Sequence, residues 1–340
     1  MFKRIVIAAA IAAPVVGLAA PAVVAADFYT DKTVTITIGY GFGGTYGKYS
    51  RLLAEGLQRH IPSKPNVIVK SMPGTGGMKA TNYAYNAMPR DGLHLLMPPD
   101  TTVVAQLMRP KKMKFDMRKF TWLGSSNVTN LVIVVRTDTG VSKLADLKKI
   151  PVILGAVGKT SNSYLTPKLL KEVMGWKMKL ISGYKGSAKT ILAVEQGEVM
   201  AAAFNWLTWD SKVPHWFRDG YAKPIVQLGK WKDPALPNVP LANDLVSAAD
   251  RPVLEFLSTP GVLGRGLVTP PGVSQDKIDI LTKAFAATVA DPQYIATAKK
   301  RRLRLIATSA ADINKTAKAA FANADKTVIA RVRKLIFDTN

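Results

Sequence analysis

The chain has 340 residues, enough for two domains that each bury a hydrophobic core. It contains no cysteine, so disulfide bonds, thiolate metal sites, thiol nucleophiles and lipid attachment through cysteine are excluded. Its 47 lysine and arginine residues outnumber 23 aspartate and glutamate residues, and the formal net charge of +24 at pH 7 favours anionic partners.

The N-terminal residues have the pattern of a secretory signal peptide. Met1–Arg4 is basic, Ile5–Ala26 has no charged residue, and the small residues Val24–Ala26 suit a signal peptidase. The uncharged stretch is also long enough to be a permanent membrane anchor, but two prolines and a glycine interrupt it. We therefore expect a signal peptide at residues 1–26 and a periplasmic protein of 314 residues, with a net charge of +22 once two basic residues are removed.

The positive charge raises the alternative of a scaffold that binds polyanions, because basic surfaces attract nucleic acids and anionic membranes. Most basic residues are spread along the chain, with local clusters at Lys111–Lys114 and Lys299–Arg304. Short clusters of this kind are typical of solvated faces. We therefore expect no nucleic-acid partner and only weak attraction to polyanions in low salt.

The first half of the chain alternates predicted strands and helices. In chain order these are strand Val34–Tyr40, helix Tyr46–Arg59, strand Asn66–Ser71, helix Gly77–Met88 and strand Leu93–Met97. Such alternation predicts a parallel sheet with helices on its faces. The three strand ends then present loops at one edge, where ligands of open α/β sheets bind.

A second unit repeats this pattern. Its predicted elements are strand Leu131–Val135, strand Val152–Gly155, helix Tyr164–Met174, strand Met178–Ser182, helix Ser187–Gln196 and strand Val199–Phe204. After a segment rich in turn residues, the run Gly261–Val268 is predicted as a strand that returns to the first unit. Two crossings between the units predict a two-lobed α/β protein with a hinge.

The C-terminal segment holds three predicted helices, Ser274–Ala290, Asp291–Arg301 and Ala310–Ile336. The last has an apolar stripe at helical spacing, and we expect it to pack on the first lobe. The predicted domains are therefore residues 27–130 together with 262–340, and residues 131–261.

Two glycine-rich turns each lie between a predicted strand and a predicted helix, at Gly41–Thr45 and Pro73–Gly77. Glycine accepts positive φ and has no side chain to hold a ligand away from the backbone N–H groups. The helix behind each turn adds unpaired N–H donors and the positive end of its dipole. Together the two turns predict an anion-binding cleft.

The first turn also fits the dinucleotide-binding pattern G-x-G-x-x-G, with Gly39, Gly41 and Gly44. That pattern calls for an acidic residue at the end of the second strand to bind the ribose. Here the strand ends at Lys70 and Ser71, and the export signal directs the chain to a compartment where nicotinamide cofactors are scarce. A periplasmic nucleotide-dependent oxidoreductase is therefore the alternative function, and no cofactor is expected.

The second unit has comparable polar strand ends. The turn Gly155–Thr160 resembles a phosphate-binding P-loop but has Ile153 where the first glycine is required. The turn either binds an anion or only begins a helix. If it binds an anion, the donors would be Lys159, Thr160, Ser161 and Ser163. Tyr184 precedes a helix that Ser187 caps, and Asn205 follows the next strand, so all three are expected at the cleft edge.

Motifs of enzymes are scarce. The histidines are His60, His94 and His215, and the sequence has neither G-x-S-x-G nor H-E-x-x-H. Neither an acyl-transfer triad nor a zinc site can be assembled from these residues. We therefore expect no catalytic residue, no metal and no enzyme activity.

Several short motifs follow one another in a specific order behind the signal peptide. They are Gly41–Thr45, Arg51–Ala54, Pro73–Gly77, Arg90–Gly92, Gly183–Gly186 and Glu195–Glu198. This order resembles that of the Bug family, the periplasmic solute receptors of tripartite tricarboxylate transporters, over essentially the whole mature chain.

The resemblance implies a Venus-flytrap periplasmic-binding-protein architecture, in which two α/β domains joined by two crossing strands close over a small carboxylate and deliver it to a membrane permease. It implies that the two glycine turns hold one carboxylate, partly through ordered water, and that the second lobe sets specificity. Many members have an aspartate after the first glycine pair where this chain has Gly47, which affects the details of that contact. Lys159 suggests a second acidic group, hence a dicarboxylate.

We therefore expect a monomeric receptor for a small organic carboxylate, either a di- or tricarboxylate or an aromatic carboxylate, with the permease subunits of a tripartite transporter as partners. The expected ligand-binding residues are Phe42, Gly43, Gly44, Thr45, Tyr46, Gly74, Thr75, Gly76, Gly77, Asp100, Thr101, Lys159, Thr160, Ser161, Tyr184, Ser187 and Asn205.

Overall fold

The computed structural model describes residues 28–338, so the predicted signal peptide at residues 1–26 lies outside the described residues. Two five-stranded sheets, each covered by helices, confirm the predicted two-lobed α/β architecture. Within residues 28–338, no helix is both long and apolar enough to cross a membrane.

The strands fall into two sheets with the same internal arrangement. In chain order they are β1 (Thr33–Ile38), β2 (Asn66–Ser71), β3 (His94–Met97), β4 (Thr121–Ser125), β5 (Leu131–Arg136), β6 (Val152–Ala156), β7 (Met178–Ser182), β8 (Ala201–Asn205), β9 (Ala222–Leu228) and β10 (Gly266–Thr269). The first sheet has the order β2-β1-β3-β10-β4 and the second β7-β6-β8-β5-β9.

Each sheet contains one strand that runs against its neighbours, so the prediction of purely parallel sheets is wrong. In the first sheet β1 is parallel to β2 and β3, whereas β10 is antiparallel to β3 and β4. In the second sheet β5 is antiparallel to β8 and β9. The reversed strand is in each case the one that arrives from the other lobe, and it therefore enters the sheet from the opposite end.

The helices cover both faces of the sheets. In chain order they are α1 (Thr45–His60), α2 (Met78–Asn86), α3 (Thr102–Met108), α4 (Asn162–Met174), α5 (Ser187–Glu195), α6 (Trp206–Lys212), α7 (Pro214–Arg218), α8 (Arg251–Leu263), α9 (Gln275–Ala290), α10 (Pro292–Lys300), α11 (Ala310–Ala322) and α12 (Lys326–Arg333). The elements predicted up to Asn205, and those predicted over Ser274–Arg301, are present with ends that differ by at most two residues.

Two crossing segments join the lobes and bond to each other. Residues 126–130 link β4 to β5, and residues 264–265 link α8 to β10. The Ser126 N–H donates to the carbonyl oxygen of Arg265 (3.2 Å), which ties the two segments together. The prediction of a strand over Gly261–Val268 is wrong at its start, because residues 261–263 complete α8 and the strand begins at Gly266.

The C-terminal segment packs on both lobes rather than on the first alone. The predicted helix Ala310–Ile336 is broken before α12, where the Asp325 carboxylate accepts hydrogen bonds from the first turn of α12. Ile313 of α11 packs in the first-lobe cluster that contains Trp122. Val332, by contrast, belongs to the same buried cluster as Leu169 of the second lobe. The expectation that the whole segment packs on the first lobe is therefore wrong for its last turns.

Candidate functional site

The lobes touch across the cleft where the strand ends meet. The Thr160 hydroxyl of the second lobe donates to the Thr75 carbonyl oxygen of the first lobe (2.8 Å). The Thr101 hydroxyl of the first lobe donates in turn to the Thr160 carbonyl oxygen (2.9 Å). Thr160 is thus held from both sides, and the lobes are closed at this point.

Further side-chain contacts close the remainder of the cleft. Asn205 Nδ2 donates to Asp100 Oδ2 (3.0 Å), and the hydroxyls of Thr45 and Thr208 lie 3.1 Å apart. Lys48 Nζ donates to the carbonyl oxygen of Ser211 (3.0 Å). Each contact joins a first-lobe residue to a second-lobe residue, so opening the lobes would break all of them.

A cavity of about 460 Å³, open solvent at its mouth included, lies between the closed lobes. We call it the inner cavity, and residues from both lobes and from the second crossing segment line it. They are Tyr40, Gly44, Thr45, Tyr46, Asp100, Leu131, Val157, Ser161, Asn162, Ser163, Gly186, Ser187, Phe204, Asn205, Thr208 and Arg265.

Three helices begin at the inner cavity. The N-cap residues Gly44 of α1, Ser161 of α4 and Gly186 of α5 all line it, and no side chain accepts a hydrogen bond from the first turn at these caps. The first turn of a helix carries unpaired N–H donors and the positive end of the helix dipole. The N-termini of three helices, one from the first lobe and two from the second, therefore give the cavity a positive potential.

Arg265 brings a full positive charge into the inner cavity. Its side chain is only 3% exposed, and the guanidinium carbon lies 4.0 Å from the centre of the Tyr46 ring. Nη2 donates to the Thr45 hydroxyl (3.2 Å), whereas Nη1 is 3.4 Å from both Asp100 Oδ2 and the Gly264 carbonyl oxygen. Within residues 28–338, Nε is buried without a hydrogen-bond partner.

Asp100 is the acidic partner in the inner cavity. Its side chain is 6% exposed, and burial raises the pKa of its carboxyl while Arg265 and Asn205 act in the opposite direction. The Asp100 N–H donates to the Tyr46 hydroxyl (2.8 Å), which fixes the turn after β3 against α1. The cavity therefore contains one cation and one anion at close range.

A second cavity of about 810 Å³, again including open solvent, lies beside the first and contains the second glycine turn. We call it the outer cavity. Tyr40 and Val157 line both cavities, and the Tyr40 hydroxyl donates to the Gly76 carbonyl oxygen (3.0 Å) between them. The charged residues of the described chain that line the outer cavity are all basic: Arg109, Lys159 and Lys185.

The closed lobes divide the expected binding residues between the two cavities. The inner cavity has Gly44, Thr45, Tyr46, Asp100, Ser161, Ser187 and Asn205. The outer cavity has Gly74, Thr75, Gly76, Gly77, Lys159, Thr160 and Tyr184. The sequence predicts one cleft for both glycine turns, and the structure instead places each turn in its own cavity because Tyr40 stands between them. The hydroxyl of Tyr184 is already engaged, since it donates to Glu198 Oε1 (2.6 Å).

Three expected residues line neither cavity. Phe42 is 44% exposed and lies near Arg51, with the guanidinium carbon 5.9 Å from its ring centre. Gly43 and Thr101 lie instead at the contact between the lobes, where a Cβ on Gly43 would be 3.2 Å from the Cβ of Ala188. Sequence reasoning also missed Arg265, although this residue contributes the only positive side-chain charge among the described residues that line the inner cavity.

The helix packing explains why this chain has Gly47 where the resemblance leads one to expect an aspartate. A Cβ on Gly47 would lie 2.0 Å from the carbonyl oxygen of Phe42, far below contact distance. The first glycine turn therefore folds directly onto the first turn of α1. A side chain at position 47 would push this turn away from the cavity.

The alternative of a dinucleotide site requires open backbone at the first glycine turn. A Cβ on Gly39, the first glycine of the dinucleotide pattern, would lie 2.7 Å from Cα of Gly77, so the second glycine turn covers the backbone there. Among residues 28–338, moreover, no group of three or more histidine, aspartate or glutamate side chains could hold a metal ion. The close contact at Gly39 favours a small anion over a nucleotide.

Comparison with known proteins matches the chain to one protein family. Residues 49–333 match the family described as "Tripartite tricarboxylate transporter family receptor" (TctC). The chain is 27% identical over 302 residues to the "UPF0065 protein in gbd 5'region" of Cupriavidus necator, covering 85% of this chain and 84% of that protein.

Solved structures share the fold. The periplasmic binding protein BugD has a TM-score of 0.70 at 20% identity, with 91% of this chain and 98% of that chain covered. MatC from Rhodopseudomonas palustris, solved with bound malate, has a TM-score of 0.69 at 17% identity, with 90% and 99% covered.

Proposed function

The chain belongs to the tripartite tricarboxylate transporter receptor family, and we propose that it captures a small organic carboxylate between its lobes and delivers it to the membrane subunits of such a transporter. The observation that carries the proposal is the inner cavity, on which three helix N-termini from both lobes converge. Backbone N–H groups at helix N-termini bind carboxylates well. Because both lobes contribute, a ligand there would favour the closed form.

Two features support a carboxylate as the ligand. The fully buried guanidinium of Arg265 lines the same cavity and is poorly paired within the described chain. The similar fold of MatC holds malate, a small carboxylate. We propose a di- or tricarboxylate or an aromatic carboxylate as the ligand class.

Lys159 bears on the number of acidic groups in the ligand. It lines the outer cavity with Arg109 and Lys185 rather than the inner cavity. A ligand with a second acidic group would have to extend past Tyr40 to reach it. If it does so, Lys159→Ala should weaken the binding of dicarboxylates more than that of monocarboxylates, and an equal loss for both would argue against a role for Lys159 in selectivity.

The cellular setting is part of the same proposal. We propose a monomer, exported to the periplasm by a signal peptide at residues 1–26, with no cofactor and no enzyme activity. Its lobes would be residues 27–130 with 262–340, and residues 131–261. The net positive charge does not require a nucleic-acid partner, since the cavities described above would bind small anions.

The test is thermal unfolding of the exported protein with a panel of mono-, di- and tricarboxylates and nicotinamide nucleotides, in roughly 0.15 M salt to weaken nonspecific attraction. A ligand at 100 times its dissociation constant stabilises a protein by about 2.7 kcal/mol, so a true ligand should raise the midpoint by several degrees. A selective shift with carboxylates is expected. A shift with nucleotides alone would support the oxidoreductase instead, and no shift with any carboxylate would contradict the proposal.

A further inference from the structure

The guanidinium of Arg265 is buried with too few partners for its charge. It carries five N–H donors, yet besides the Tyr46 ring, 4.0 Å from the guanidinium carbon, it makes only three long hydrogen bonds within the described chain, one of 3.2 Å and two of 3.4 Å. Nε has none. Charge-assisted hydrogen bonds between guanidinium and carboxylate groups are normally about 2.7–2.9 Å long and often bidentate. The site therefore retains capacity for one more anionic partner.

Asp100 does not fill that capacity. It approaches Arg265 through a single oxygen, Oδ2, at 3.4 Å. The same oxygen accepts the hydrogen bond from Asn205 at 3.0 Å, which is the shorter of the two contacts. Asp100 therefore interacts more closely with Asn205 across the cleft than with Arg265.

The two side chains also fix the charge of the inner cavity. Among its lining residues in the described chain, Asp100 and Arg265 are the charged ones, so the side-chain charges of the lining sum to zero. One ligand carboxylate can pair with Arg265. A second carboxylate in the same cavity would have only helix N-termini and, within residues 28–338, no second cationic side chain to pair with, and it would lie near the buried carboxylate of Asp100, where like charges repel.

We propose that Arg265 and Asp100 together determine specificity: Arg265 binds one ligand carboxylate directly, and Asp100 excludes a second carboxylate from the inner cavity. The inference rests on the proposed function and deepens it. It defines the ligand as a molecule that presents a single carboxylate to the inner cavity, with any further acidic group outside it. Both residues distinguish ligands by their charge rather than by their shape.

Malonate and its monoamide, malonamate, test this charge rule. The two molecules have nearly the same size, but malonate carries two carboxylates one methylene apart, so both must enter the inner cavity if either pairs with Arg265. We expect calorimetric titration of the full exported protein to show about tenfold tighter binding of malonamate. Asp100→Asn keeps the shape of the side chain and removes its charge, and it should bring the two affinities to within about a factor of two.

Variants at Arg265 test the cation. Arg265→Gln should weaken both ligands about 30-fold or more, as expected when one partner of a buried charge pair is removed. Arg265→Lys should recover part of the affinity, because it restores the charge without the bidentate geometry. Arg301→Gln is the matched control: it removes the same charge from an exposed pair with Glu55 and should leave both affinities unchanged.

A purely structural role for Arg265 and Asp100 would change stability without changing the ratio of the two affinities. The inference is overturned if the ratio is the same in the native protein and in Asp100→Asn, or if Arg265→Gln binds as the native protein does. If neither probe binds while larger carboxylates stabilise the protein, the inference fails and the proposed function stands. If no carboxylate binds at all, both fail.

Discussion

The substitution Gly264→Ala should damage the hinge between the lobes. Gly264 ends α8 with φ 55° and ψ −126°, a conformation that residues other than glycine rarely adopt. A Cβ at this position would lie 1.7 Å from the carbonyl oxygen of Asn127 in the other crossing segment. The two crossing segments would therefore have to move apart.

The structure gives the scale of the effect. The backbone conformation alone costs a non-glycine residue about 1–3 kcal/mol. Separation of the segments also threatens two hydrogen bonds, from the Ser126 N–H to the Arg265 carbonyl oxygen (3.2 Å) and from the Ser125 hydroxyl to the Leu263 carbonyl oxygen (3.0 Å). At about 0.5–1.5 kcal/mol for each bond, the total loss is about 2–6 kcal/mol. For a chain of this length that is a fall in melting temperature of about 3–9 °C.

Thermal unfolding of three proteins checks this reasoning: the native chain, Gly264→Ala and the control Gly175→Ala. Gly175 also has positive φ (66°), but an added Cβ there would have no atom within 4 Å. The control should therefore show only the conformational cost, about 1 kcal/mol. Equal shifts for the two variants would show that the close approach of the crossing segments has no energetic weight, and the explanation of the hinge would be wrong.

Three further predictions concern the first glycine turn, closure and acid stability. Gly47→Ala should displace Phe42 and weaken carboxylate binding by calorimetry, and unchanged affinity would contradict the packing argument. Thr160→Val removes a hydrogen bond between the lobes and should enlarge the radius of gyration in X-ray scattering, which a control variant, Thr327→Val, should leave unchanged. Hydrogen bonds from Arg118 lower the pKa of Asp116 to about 2, below its unfolded value of about 3.9. Asp116 should therefore stabilise the fold above pH ~4 and lose this effect as the pH falls through about 2, so Asp116→Asn should lower the melting temperature at pH 7 and much less at pH 2.

The sequence predicts local structure well where the signal is local. The strands before each glycine turn are short and apolar, so their hydrophobic periodicity locates them. The turns must bend sharply, so their glycine content locates them. The same reasoning was wrong at the C-terminal end of α8, where it predicted a strand. Pro260 lies inside this helix, and a proline beside Gly261 normally argues against a helix. Burial of Leu254, Leu257 and Pro260 itself outweighs that local preference.

The candidate site shows the limit of such reasoning more clearly. Arg265 lies between two glycines in a run that suggests a strand, and nothing in its neighbourhood in the sequence indicates a buried charge. Its burial follows from contacts with Thr45 and Asp100, which are 220 and 165 residues away in the chain. The separation of the two glycine turns by Tyr40 likewise depends on tertiary packing. Local sequence patterns contain neither fact.

The position of Arg265 links the choice of ligand to closure of the lobes. The neutral hydrogen bonds across the cleft, such as Thr160 to Thr75, contribute about 0.5–1.5 kcal/mol each, whereas moving a two-state equilibrium from 1:99 to 99:1 takes about 5.5 kcal/mol. An incompletely paired guanidinium that stays buried raises the free energy of the closed form without ligand. A carboxylate that pairs with it removes this cost, and the exclusion of water strengthens the pair. If Arg265 binds the ligand as proposed, a neutral molecule of the same size would leave the guanidinium unpaired, and the ligand's charge as well as its shape would set the population of the closed form.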